Sequence, residues 1–231
     1  MASDGELYAP SLVEMTTGRL REEILSGALQ PGERLIEEQI RQRFAISRAP
    51  LREALRLLAQ QGLVDHLPRR GARVAEWSET DISQLFELRG VLERHAVESA
   101  FPIPAAELAA RIAPLSQALE AMWAAETSGD GLAKDDAHRS FHAAVVAMAG
   151  NRQLDLAIEP ILLKLQRPMA VNLRREAALV GPQAGLERHR ALLDAVSGND
   201  RDVVLHALSE HGSLRYLLPG GVAGSDAVPV P

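Results

Sequence analysis

The amino-acid sequence predicts a mainly α-helical protein in which three short helices and a β-hairpin precede an all-helical remainder. Apolar residues form 46% of the 231 residues, enough to bury a sizeable core, but aromatic residues form only 3%. Leu, Ala, Val and Ile must therefore fill that core, which favours packed helices over a β-sandwich. A helical spacing of apolar residues also dominates the chain and gives way to a strand-like pattern only between residues 63 and 75.

The first three predicted helices are short and amphipathic. The spacing of apolar residues places them over 12–26, 36–44 and 49–62. A tight turn separates the second helix from the third, and Ser47 is a good N-cap for the third. Gly62 is expected to end the third helix.

A β-hairpin is predicted after these helices. Two short β-like runs, 63–67 and 72–75, flank the turn sequence PRRG. Three helices followed by a hairpin are the plan of a winged helix-turn-helix domain. We assign that domain to residues 12–77 and expect residues 1–11 to be a flexible N-terminus.

Every segment from Ser78 to residue 217 has a helical pattern, which predicts an all-α helical-bundle effector domain over 78–217. Pro168 is expected to kink or split one of the helices. The tail, 218–231, lacks periodicity and is expected to be disordered. The helices are predicted at 78–100, with Ser78 or Thr80 as cap, and at 104–128, 131–149, 152–178, 183–197 and 200–217.

Charge is unevenly distributed. The net charge of −6 argues against nucleic-acid binding by the chain as a whole. Residues 1–77, however, carry 11 Arg against 11 Asp and Glu, so the remainder carries the whole deficit. Within 41–56, five Arg face one Glu, a local excess of +4. A concentrated basic segment on an acidic protein is compatible with a small DNA-binding module attached to an acidic effector domain.

Composition excludes several protein classes. The chain has no cysteine, which excludes disulfides and thiolate zinc sites. No apolar run is long enough to span a bilayer, and the N-terminus does not have the pattern of a signal peptide. We therefore expect a cytoplasmic protein without a membrane partner.

The start of the third helix carries the candidate DNA-reading residues. Arg48 and Arg52 are four residues apart, so both project from one helix face, and arginine can bind guanine O6 and N7 with two hydrogen bonds. Ser47 and the first helical N–H groups can bind phosphate. At the hairpin tip, Arg70 can enter a minor groove, and Gly71 lets the backbone come close.

Four stretches in this region, PGERL, SRAPLREAL, QGLV and PRRGARV, resemble the N-terminal domain of the GntR family of bacterial transcription regulators. The helical remainder, with ELRGVLE, FHAAVVAMAGN and ERHRALLDAV, resembles the FCD domain, the FadR-type C-terminal domain of that family. The resemblance implies base contacts from Arg48 and Arg52, phosphate contacts near Ser47 and Ala49, and a wing containing Arg70 and Gly71.

Two histidines, His138 and His142, stand four apart, a spacing that suits two ligands of one metal ion. The FCD resemblance implies that His142, His189 and His211 bind a divalent metal. His138 stands where the family usually has Asp or Asn, so either four histidines bind the ion or His138 does not bind it. Imidazole ligands favour Zn²⁺ or Ni²⁺ over Mg²⁺ or Ca²⁺.

The same resemblance places Arg89 in the effector cavity, where it could bind a carboxylate. The alternative role of Arg89 is an internal ion pair with Glu93, four residues later on the same helix. Asn151 could help line that cavity, and its simpler role is to cap a helix.

Together these features predict a ligand-responsive transcription regulator and not an enzyme. It would bind a palindromic operator as a homodimer, most simply as a repressor, and respond to a small carboxylate effector at or near the metal. The alternatives are a regulator for which the ion itself is the signal, and a metal-dependent hydrolase. The chain lacks the HExxH motif of zinc hydrolases, and hydrolase activity would leave the basic helix-turn-helix unexplained.

Overall fold

The computed structural model describes residues 10–67 and 71–211. The chain divides into two compact units between Glu76 and Trp77. The predicted fold class, a winged helix-turn-helix followed by an all-helical domain, is confirmed. Within the described residues, no helix is long and apolar enough to cross a membrane.

Three helices and a small antiparallel sheet form the N-terminal unit. The helices are α1 (Leu12–Ser26), α2 (Glu37–Phe44) and α3 (Arg48–Gln60). The strands are β1 (Arg34–Leu35), β2 (Val64–Leu67) and β3 (Gly71–Val74), in the order β1-β3-β2.

Local signals define the ends of α1. Ser11 caps its N-terminus and forms a capping box with Glu14, which satisfies two backbone N–H groups. Gly27 ends the helix with φ 83°, a left-handed conformation that costs little only for glycine. Leu20 and Ile24 are buried one turn apart. The apolar spacing and the glycine explain why the predicted and observed bounds of α1 agree.

The turn between α2 and α3 and the inner face of α3 complete the helix-turn-helix. Ala45 adopts φ 52°, a left-handed conformation that lets the chain reverse sharply after α2. One face of α3 is buried against α1, where each large aliphatic side chain contributes roughly 1.5–3 kcal/mol. The buried residues of α3 are Leu51, Ala54, Leu55 and Leu58.

The sheet contains the predicted hairpin and one strand that was not predicted. Strands β2 and β3 pair antiparallel, and β1 pairs with the other edge of β3. Because β1 has only two residues, it is too short to show an alternating pattern in the sequence. Residues 68–70 lie outside the described residues, and they include the predicted DNA-contacting Arg70.

The described part of the C-terminal unit is entirely helical. Its first helix starts at the N-cap Ser78, which forms a capping box with Asp81 and is one of the two predicted caps. The helices are α4 (Glu79–Ala100), α5 (Ala105–Ser128), α6 (Gly131–Ala147), α7 (Arg152–Val180), α8 (Ala184–Ser197) and α9 (Arg201–His211).

Pro168 was expected to kink or split its helix, and it does not split it. The 29-residue α7 continues through both Pro160 and Pro168. An internal proline removes a backbone hydrogen bond and costs about 3 kcal/mol. Burial of Leu162, Leu165 and Met169 on the same helix offsets that loss.

Helix α6 lies at the centre of the bundle. Phe141 and Val145 belong to a core shared with α4, α5, α8 and α9, whereas Val146 belongs to a second core with α4 and α7. A helix that is buried on several sides carries its polar side chains into the interior. This position of α6 brings His138 and His142 into the interior of the C-terminal unit.

Candidate DNA-binding surface and histidine cluster

The N-terminal turn of α3 presents an exposed polar face. Ser47, Arg48, Ala49 and Arg52 are all exposed. Ser47 occupies the N-cap position with extended backbone, but its hydroxyl makes no capping hydrogen bond. The predicted DNA-contacting residues at the start of this helix are therefore all accessible.

The arginines of α3 differ in their partners. Arg52 Nε lies 3.1 Å from Glu37 Oε2 on α2, and its side chain is 67% exposed. Arg56 is held by Glu53 on its own helix, with Nη2 and Oε1 2.6 Å apart. Within the described residues, Arg48 has no ion pair. Arg48 and Arg52 are thus more available to a ligand than Arg56.

Gly71 opens β3 with φ 89°, a conformation that favours glycine. A Cβ atom at this position would come no closer than 4.0 Å to the carbonyl oxygen of Leu35. The backbone conformation, and not crowding, therefore requires glycine here.

Four histidines from three helices meet in the interior of the C-terminal unit. The pair on α6 is buried together with His189 of α8 and His211 of α9. The ring centroids of His138 lie 4.7 Å from His142 and 4.8 Å from His189. The ring of His211 lies 4.3 Å from His189 and 5.3 Å from His142. We call these four residues the histidine cluster.

The ring nitrogens of three members of the histidine cluster are arranged like a ligand set, and His211 is outside this group. One nitrogen from each of His138, His142 and His189 lies within 4.8 Å of the others, close enough for one ion to reach all three. Nε2 of His189 and Nδ1 of His211 are buried without a hydrogen-bond partner among the described residues. Unsatisfied buried nitrogens are rare in proteins, and a metal ion would satisfy them.

The environment keeps the cluster neutral. Burial lowers the pKa of His138, His189 and His211 well below the ordinary value of 6.5, and the neighbouring histidines lower it further. Burial also lowers the pKa of His142. Neutral imidazoles keep a free lone pair, which metal binding requires.

Two hydrogen bonds orient the rings. Nδ1 of His142 lies 2.7 Å from Glu93 Oε1, and Nδ1 of His189 lies 2.5 Å from the carbonyl oxygen of Gly185. Because both acceptors are oxygens, both Nδ1 atoms carry the proton. Nε2 of each ring is therefore left as the lone-pair nitrogen.

Arg89 lies in the interior beside this cluster. Its Nε is 3.4 Å from Glu93 Oε1, its Nη1 is 3.2 Å from the sulfur of Met169, and its guanidinium lies 5.1 Å from the Phe86 ring centre. The internal pair with Glu93, one of the two alternatives for Arg89, is therefore present. Contact between Arg89 and an effector stays a prediction.

Glu93 is a buried carboxylate whose role the sequence did not reveal. Burial would raise its pKa, but the charge of Arg89 and the hydrogen bond from His142 outweigh burial and lower the pKa. Sequence reasoning found Glu93 only as a partner of Arg89, because the bond to His142 joins residues 49 apart in the chain.

Asn151 lies at the surface and caps α7. Its side-chain oxygen accepts a hydrogen bond from the Gln153 backbone N–H at 3.0 Å. This is the simpler of its two predicted roles. An exposed residue at this position gives no support to an effector contact.

Other buried polar residues near the end of α7 also escaped the sequence analysis. Glu176 is buried and bound by Arg188, with Nη2 and Oε2 2.8 Å apart. Asp135 on α6 is buried, and burial raises its pKa to about 6 in spite of Arg174, 3.7 Å away. A polar residue at a core-facing position of an apolar helix is the signal that could have identified them.

Comparison with known proteins shows the family. Residues 12–74 match the family model described as "Bacterial regulatory proteins, gntR family", and residues 84–213 match the FCD domain. The HTH-type transcriptional repressor GlaR of Escherichia coli (strain K12) is 29% identical over 194 residues, which cover 83% of this chain and 88% of GlaR. The gluconate operon transcriptional repressor of Bacillus licheniformis is 27% identical over 200 residues, which cover 83% of this chain and 78% of the relative.

A solved structure shows the same fold. A transcriptional regulator from Rhodococcus sp. RHA1, described as GntR, aligns over 87% of this chain and 94% of its own, with 24% identity and a TM-score of 0.70. The two matched domains together span most of the described residues. The chain belongs to the GntR family of bacterial transcription regulators, as a member with an FCD domain, and it is a regulator and not an enzyme.

Proposed function

We propose that this protein is a repressor that binds a near-palindromic operator as a homodimer. Binding of a small carboxylate to the effector domain would lower or raise its affinity for the operator. The observation that carries the DNA-binding part is the exposed face of α3, where Arg48 and Arg52 project side by side. The repressor assignment is supported by the names of two relatives, GlaR and the gluconate operon repressor. Two-fold symmetric dimers match two half-sites of such an operator.

The histidine cluster is the proposed metal site. The donor set fits a borderline ion such as Zn²⁺ or Ni²⁺, because the cluster offers buried neutral imidazoles and two unsatisfied ring nitrogens. A bound divalent ion would supply a Lewis-acidic attachment point for a carboxylate. Four neutral ligands leave the ion's full charge of +2 in the interior, which favours an anionic effector. The residues that would bind the ion are His138, His142, His189 and His211.

A second candidate is a metal-sensing regulator in which the ion is the signal. It is favoured by the presence of four histidines, since four imidazoles can complete a tetrahedral shell and leave no position open for an effector. The hydrolase alternative is set aside because the family regulates transcription.

The DNA-binding part is tested with the full-length protein. Selection from random duplexes should enrich a motif with two symmetric half-sites, and sedimentation should give the mass of a dimer bound to each duplex. Enrichment of a single asymmetric half-site by a monomer would contradict the proposal.

The effector part is tested on the selected operator. A protein that retains zinc through dialysis, and whose operator affinity changes when small carboxylates are titrated, supports the carboxylate-responsive repressor. Operator binding that is lost with a chelator and regained with free Zn²⁺, without a response to any carboxylate, supports the metal sensor.

A further inference from the structure

We infer that Glu93 is the positioning residue of the histidine cluster: its carboxylate accepts the Nδ1 proton of His142 and holds that ring with Nε2 turned toward the other histidines. This inference rests on the proposed function, in which the cluster binds a divalent ion. Glu93 would not touch the ion itself, since it acts through His142.

The geometry of the His142 ring supports this role. Glu93 Oε1 lies 2.7 Å from Nδ1, and both side chains are almost completely buried. On the opposite side of the ring, Nε2 of His142 lies 3.3 Å from Nε2 of His138. Once Nδ1 carries the proton, Nε2 has the lone pair and faces the centre of the cluster. A carboxylate behind a histidine also makes the imidazole a stronger ligand.

Arg89 holds Glu93 in turn. Its Nε lies 3.4 Å from the same oxygen, Oε1, that accepts from His142. Arg89 lies one turn before Glu93 on α4, so one helix carries both members of the ion pair. A buried carboxylate is strongly unfavourable without a cation, and Arg89 compensates its charge. Arg89 therefore acts on His142 indirectly, by holding the Glu93 carboxylate that binds the ring.

His142 and His189 differ in where the acceptor of their Nδ1 hydrogen bond lies. His189 donates to the carbonyl oxygen of Gly185, four residues earlier on its own helix. His142 lies on α6, whereas its acceptor lies on α4. The orientation of His142 thus depends on how α4 packs against α6, and α4 is the first helix after the DNA-binding unit in the chain.

The test uses the full-length, metal-stripped protein and two variants. Glu93→Gln keeps an acceptor oxygen but removes the charge. The double variant Arg89→Met/Glu93→Leu removes both charges together, which avoids leaving one buried and unpaired, and also removes the acceptor. Glu98→Gln, an exposed position on the same helix, is the matched control.

Two measurements are made on each variant. Nitrogen NMR of ¹⁵N-labelled histidine rings reports which nitrogen of His142 carries the proton, without any metal. Competition with a chromophoric chelator reports the affinity for Zn²⁺. We expect the double variant to lose the fixed Nδ1–H form and to bind Zn²⁺ about 10- to 100-fold more weakly. Glu93→Gln should keep the Nδ1–H form and lose less affinity, and Glu98→Gln should match the wild type.

Specific outcomes overturn the inference. An unchanged His142 tautomer and unchanged Zn²⁺ affinity in a folded double variant, as judged by circular dichroism, would do so. If the double variant does not fold, Zn²⁺ affinity of Glu93→Gln equal to that of the wild type overturns it instead. If the wild type binds no Zn²⁺, the proposed metal site fails, while the tautomer of His142 in metal-free protein still decides the role of Glu93.

Discussion

Replacing Arg52 with alanine tests whether α3 reads DNA. The side chain is 67% exposed and its ion pair with Glu37 lies at the surface. Such exposed pairs contribute about 0.2–1 kcal/mol, so the free energy of unfolding should fall by no more than about 1 kcal/mol. A bidentate contact to guanine discriminates by about 1–3 kcal/mol. The dissociation constant for the operator should therefore rise roughly 5- to 150-fold, and the preference for operator over scrambled DNA should fall by a similar factor.

The assay is fluorescence anisotropy of labelled operator and scrambled duplexes at one fixed salt concentration, because phosphate contacts make all affinities salt-dependent. Arg19→Ala is the matched control, since Arg19 on α1 is 70% exposed and 3.8 Å from Glu23. It removes one positive charge from α1 instead of α3. Binding to the operator and to the scrambled duplex should therefore weaken by the same factor or not at all. If Arg52→Ala discriminates operator from scrambled DNA as well as the wild type does, Arg52 does not read bases.

Three further predictions concern the effector domain. His189→Ala should leave the protein unable to retain zinc through dialysis, as measured by elemental analysis, while operator binding matches that of the metal-stripped wild type; full zinc occupancy would contradict its role as a ligand. Arg89→Ala should abolish the response of operator binding to carboxylates before it alters operator affinity, and an unaltered effector titration would contradict this. Because this change leaves Glu93 buried without its cation, the titration is made on protein that circular dichroism shows to be folded. The metal-stripped protein should lose stability as the pH falls below 6.5, because burial lowers the pKa of His138 and His211 and the unfolded chain then binds more protons. Each such histidine contributes about 1 kcal/mol between pH 6.5 and 5.5 in urea denaturation. The measurement is made in Asp135→Asn, since burial raises the pKa of Asp135 to about 6 and its effect has the opposite sign; stability that stays constant with pH would contradict the prediction.

Most helices could be predicted because their ends depend on neighbouring residues. The capping box of Ser78 with Asp81 and the left-handed Gly27 are local signals, and the structure places helix ends at both. Strand β1 could not be found, since its two residues form a strand only by pairing with β3, far along the chain. The continuity of α7 through Pro168 was also beyond local rules, because burial in the bundle offsets the lost hydrogen bond.

In the candidate sites too, features set by neighbouring residues could be predicted, and contacts between distant residues could not. The spacing of Arg48 and Arg52 on one helix is local, so the sequence was enough to predict that both lie on its exposed face. The proposed support of His142 was not visible in the sequence. Glu93 had an obvious partner at i+4, and nothing in the chain indicated that its carboxylate also lies against a histidine of another helix.

The sequence by itself determined the two kinds of domain and the residues that share a helix face, because periodicity and capping act over a few residues. The resemblance of its motifs to the GntR family, and not periodicity, indicated the family. Only the tertiary structure decided that the imidazoles of α6, α8 and α9 meet in one buried place and that Glu93 on α4 holds one of them. The physical reason is that helix packing sets distances between residues tens of positions apart, and burial then shifts the pKa values that keep those imidazoles neutral.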